Sequence, residues 1–160
     1  MSAVASFYVI PSEKVGRLKE AAVAGGRPGG VDDRFWDFLF AEASELQAFP
    51  WSGYVLSDLL GLLQEEGLRY EEFHAPELTS FLCGARGSTK IVFEHERALA
   101  FARRLRSFDL APGRLSEYAR EEVGEADAEA YAHALRDARR ILLEWLESVP
   151  PGAVALLSIG

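Results

Sequence analysis

"LLEWLESVPPGAVALLSIG", residues 142–160, passes from a helical spacing through a stop into a strand-sized apolar run. Working back from it, Tyr131, Leu135, Ala138, Leu142, Trp145 and Val149 recur at intervals of four, three, four, three and four residues. That is the period of one helix face, and it predicts a long helix over about 126–149. Pro150, Pro151 and Gly152 end it. "AVALLSI", residues 153–159, reads as the closing strand, and no apolar run in the chain approaches the roughly 18 residues of a membrane span. At the other end, "AVASFYVI", residues 3–10, is rich in β-branched and aromatic residues and halts at Pro11, so it reads as a buried strand. Strands at both ends with helices between them predict one α+β (or α/β) domain over residues 1–160. Its expected form is one small mixed sheet including both terminal strands, packed by about five to six helices.

The intervening chain supplies those helices. Ser12 is placed to cap a helix through about Ala24, with Val15, Leu18 and Ala22 facing inward. "GGRPGG", residues 25–30, reads as a linker whose glycine spacing does not fit a dinucleotide fingerprint. Asp32 or Asp33 caps the next helix, where Phe35, Phe38 and Leu39 form an apolar face that Trp36 and Phe40 widen. A third helix runs from about Tyr54 to Glu66 and stops at Gly67. "LRYEEFHA" reads as extended or loop, and Pro76 opens a short helix, "ELTSFLC". "TKIVFEH" is a second internal strand, followed by helices over about 94–108 and 112–122.

Composition sets the class of partner. The 160 residues are 49% hydrophobic and 26% charged, the balance of a globular domain. Seventeen Lys and Arg against 25 Asp and Glu leave a formal charge of −8, which repels nucleic acid and anionic lipid and favours a basic protein partner. One cysteine, Cys83, excludes an internal disulfide and a Cys-rich zinc site, and a first segment without a basic n-region points to the cytoplasm.

The segment with most chemistry is "CGARGSTK", residues 83–90. A phosphate-binding loop needs a strand before it, a helix after it and lysine directly after the last glycine. Here the order is helix, loop, strand, with Ser88 and Thr89 ahead of Lys90, so the bland reading is a glycine-stopped helix and a turn. Arg86, Ser88, Thr89 and Lys90 are retained as a candidate anion-binding set. His74, His95 and His133 have no ligand spacing, and "EHE", residues 94–96, reads as a solvated helix start, so no metal site is assigned. Cys83 reads as a small buried hydrophobe, and no catalytic residue or cofactor is assigned. The surplus aromatics Trp36, Phe40, Trp51 and Tyr54 are the candidate protein interface, with Trp51, in the Pro- and Gly-bounded turn "FPWSGY", as its anchor.

The order "SFYVIPSEKVGRLKEA", "FWDFL", "VFEHERALAFARRLRSFD", "LSEYAREE" and then the long helix into "LLEWLESVPPGAVALLSIG" resembles the YfbM-like family, a bacterial domain of unknown function. The matching positions are Ser12, Trp36, Phe38, Leu39, Leu105, Leu115, Tyr118 and Gly152. The resemblance implies a fold and no established activity. Bacterial domains of this general kind include toxin-neutralising and accessory partner proteins. The expectation is therefore a cytoplasmic protein-interaction module, of immunity or accessory type. The alternatives are a small-ligand or anion-binding protein, conceivably an enzyme, and a homodimer subunit.

Overall fold

The computed structural model describes residues 2–24 and 33–160, so the linker expected at 25–30 and the alternative cap Asp32 lie outside the described residues. The chain runs β1 (Ala5–Pro11), α1 (Val15–Ala24), α2 (Arg34–Glu42), β2 (Ser44–Glu45), α3 (Gly53–Glu65), α4 (Pro76–Arg86), β3 (Thr89–Glu94), α5 (His95–Ser107), α6 (Arg114–Val123), α7 (Ala128–Glu147) and β4 (Ala153–Ile159). One sheet has the order β2-β1-β4-β3. Every neighbouring pair in it is antiparallel, where the sequence suggested a mixed sheet. The class is α+β, and the described residues form seven α-helices rather than five or six. Both terminal strands do share the sheet, as direct neighbours.

Strand alternation assigns the two faces. Phe7, Ile91, Phe93, Ala155 and Leu157 point into the larger core with residues of α3, α5 and α7. Tyr8, Ile10, Val92, Val154 and Leu156 point the other way, against α1, α2 and α4. Helices therefore cover both faces, and β4, flanked by strands and helices, has all seven residues buried. Trp145 and Leu142 on α7 are buried in the larger core, and the Trp145 ring stacks on Phe7 at 5.2 Å between centroids.

Local chemistry sets the element ends. Asp33 caps α2, its Oδ1 accepting from the Phe35 N–H at 3.2 Å. Ser12 does not cap α1; it opens a 3-10 turn, Ser12–Lys14, whose N-cap is Pro11 and which has no side-chain cap. "LRYEEFHA" contains a second 3-10 turn, Tyr70–Glu72. The helix α4 passes through Gly84 and stops at Gly87, whose φ of 66° is the left-handed cap that a residue with a Cβ resists.

β3 lies at a sheet edge, so the backbone groups of alternate residues face away from β4. α4 satisfies them. The Lys90 N–H donates to Cys83 Sγ at 3.4 Å, and Cys83 Sγ–H donates to the Lys90 carbonyl at 3.2 Å. One turn earlier, Thr79 Oγ1 accepts from the Val92 N–H at 3.0 Å, and the Ala75 N–H donates to the Val92 carbonyl at 2.7 Å. Cys83 is thus half-buried and spends its thiol on strand backbone.

Candidate functional site

The face of the sheet under α1 and α4 has two unlike ends. Ile10, Val154 and Glu94 are cross-strand neighbours in one row, and Ser6, Ser158 and Lys90 in another, four residues along each strand. That separation is about 13 Å at the rise of an extended chain.

At the first end, α1 and α4 diverge over the sheet and leave a cleft of about 950 Å³. Val92 and Val154 floor it, Val15 of α1 and Leu78 and Phe81 of α4 wall it, and the β3–α5 junction closes one side. That junction brings Glu94, His95, Glu96 and Arg97 to the rim, joined by Glu77 and Lys19 from the flanking helices.

His95 is the fixed polar group of this rim. Its Nδ1 lies 2.7 Å from the Val149 carbonyl, which can only accept, so Nδ1 carries a proton. Nε2 is left to the other side, 3.8 Å from Glu96 Oε1, beyond hydrogen-bonding distance. Glu94 and Glu96 are exposed, as expected of a solvated helix start, whereas His95 is a part-buried imidazole on the cleft, held by a carbonyl just past the end of α7. The two rim cations are turned onto partners of their own: Lys19 Nζ sits 4.9 Å over the Phe81 ring, and Arg97 Nη1 donates to the His74 carbonyl at 2.9 Å.

At the second end stands the cluster drawn from "CGARGSTK". Arg86 is buried, donates to Asp33 Oδ2 and lies 4.7 Å over the Phe35 ring, so it joins the end of α4 to the start of α2. Lys90 is 2% exposed; its Nζ donates to Ser88 Oγ and lies 6.0 Å from the Trp36 ring. Burial, and then the Arg86 guanidinium, push the Lys90 amine down to about 8, with Cys83 and Asp33 acting the other way. Ser88 is half-buried and Thr89 exposed. The four candidate anion residues are thus split between a buried ion-pair cluster and the surface, away from the cleft.

The four candidate interface aromatics are also divided. Trp36 packs among Tyr8, Phe35 and Phe40 on the α1–α2–α4 side, and Phe40, 71% exposed, stacks on it at 6.1 Å. Trp51 packs against the core on the opposite face, edge-on to His133, with Nε1 donating to Asp137 Oδ2 at 2.9 Å. Tyr54, 54% exposed, opens the first turn of α3. Trp51 thus ties the turn before α3 to α7.

The cleft carries no local signature in the chain. Its walls come from four separate segments, and only the polar triplet at residues 94–96, directly after an apolar strand, marks any of it in sequence. No family model, curated protein or solved structure matches this chain.

Proposed function

We propose that this chain is a protein-interaction module whose partner is engaged at the α1–α4 cleft. The observation that carries the reading is the cleft's construction, an apolar floor and walls under a charged rim at one end of the sheet. Such a site seals an apolar side chain or short segment from water, and polar groups at its margin set orientation. The formal charge of −8 adds long-range attraction for a basic partner. An immunity or accessory role, of the sort found among bacterial domains of this general kind, is the biological form this reading takes. The volume of about 950 Å³ also suits a small organic ligand, which is the second reading.

Site-directed photo-cross-linking distinguishes them. A photoreactive residue replacing Leu78, on the cleft wall, is compared in the native host with one replacing Gly61 on α3, where added atoms meet nothing within 4 Å. The expected result is one protein adduct from position 78 and none from 61. Binding of the purified partner should then weaken at least about tenfold in Leu78→Asp, measured at a temperature where circular dichroism shows the variant folded, the size expected for a charge set in an apolar contact. Equal cross-linking from both positions, or none from position 78, sinks the reading.

A further inference from the structure

We propose that the His95–Glu96 corner of the cleft receives a cationic side chain, arginine or lysine, carried on an extended apolar segment of the partner. The inference rests on the interaction reading above and names the chemistry it requires.

Four observations converge on a cation. His95 Nε2 and Glu96 Oε1 are 3.8 Å apart on one rim, a spacing that lets a single guanidinium or ammonium donate to both. Nδ1 is committed to the Val149 carbonyl, so in the neutral imidazole the one remaining polar function is the Nε2 lone pair, an acceptor. Glu77 and Glu94 stand on the same rim and make no ion pair among the described residues. The rim's own cations form no ion pair with them among the described residues, Lys19 lying over Phe81 and Arg97 donating to the His74 carbonyl, and with Glu96 the carboxylates outnumber those cations, so the rim is net negative. Below the rim, Val92, Val154 and Phe81 offer an apolar bed for the methylene stem of a long basic side chain.

Three acetylated, amidated pentapeptides test this. One has the order leucine-arginine-leucine-arginine-leucine, and the others carry glutamine or glutamate in place of arginine. Each is titrated into 15N-labelled protein, following the amides of Val92, His95 and Val154, in wild type, in Glu94→Gln/Glu96→Gln and in Glu121→Gln/Glu122→Gln. The last pair lies exposed on α6 and changes the net charge equally, so it controls for diffuse attraction.

The expected result is that the arginine peptide shifts the cleft amides and binds wild type at least about tenfold tighter than the glutamine peptide. That margin should vanish in the cleft pair and persist in the α6 pair. Equal loss in both double variants overturns the inference, because the attraction is then not local. Equal binding of all three peptides overturns the cationic requirement and leaves the cleft as an apolar docking site. Absence of binding by every peptide overturns the inference as well, while the cross-link from position 78 judges the interaction reading separately.

Discussion

At the scale of the residue, Lys90 is where the chain accepts a penalty. The residue is 2% exposed and its amine has a neutral hydroxyl as hydrogen-bond partner; burial, and then the nearby Arg86 guanidinium, bring the amine down to about 8 from an ordinary 10.5. A folded pKa below the unfolded value means that the unfolded chain holds more protons between about pH 8 and 10.5. Stability therefore rises as pH climbs through that window, and the penalty is fully present below it. Lys90→Met, which keeps the stem and removes the charge, should stabilise the protein at pH 7 by about 2 kcal/mol and flatten the rise. Urea unfolding at pH 7 and 9.5 checks both, and a variant less stable than wild type at pH 7 would mean that the ammonium contributes net stability. Further up the scale the sign reverses. Burial pushes the Tyr118 hydroxyl up to about 12 and raises those of Tyr8 and Tyr70, so stability falls as the pH passes from about 10 towards 12.

At the scale of the element, α4 acts as a false strand beside β3. Thr79 and Cys83 stand four residues apart, one helical turn, and so meet Val92 and Lys90, two residues apart on the strand. Thr79→Val deletes the Val92 N–H acceptor at nearly constant volume and should cost about 1–3 kcal/mol, whereas Thr79→Ser should restore most of it. Chemical denaturation reads the cost, and faster hydrogen exchange at the Val92 amide locates it. A valine variant as stable as wild type would show that water replaces the hydroxyl. This pairing also explains what was legible in the chain. Element existence followed from periodicity, as the stripe ending at Trp145 and Val149 shows, because burial on one face writes itself into spacing. The end of α4 did not, since Gly84 and Gly87 read alike and only the backbone turn at Gly87 requires φ above zero. Cys83 looked like an inert hydrophobe because its role depends on β3 being an edge strand, which spacing along one chain cannot express. The cleft was invisible for a related reason. Residues near 15, 78, 92 and 154 meet only after the sheet has formed, and His95 looks solvated until Val149 arrives beside it.

At the scale of the whole molecule, the strand order decides what holds the two cores together. β1 and β3 do not touch each other; each is paired along its length to β4, and β1 has otherwise only the two-residue β2. A chain ending at Gly152 should therefore lose cooperative unfolding, with protease sensitivity and a flattened thermal transition as the measurements. A sharp native-like transition in that chain would show that the helices carry the fold alone. The same arrangement has a consequence for biosynthesis. A ribosome delivers β1 and β3 long before residues 153–159, so the nascent chain must carry two apolar strands with their common partner still unmade, the condition under which chaperones and proteases compete for a polypeptide. The keystone is also short enough to be supplied separately. A synthetic peptide of residues 153–160, mixed with the chain ending at Gly152, would slide between two waiting edges and restore the ordered state in trans, making the fold a split reporter whose two halves signal only when brought together.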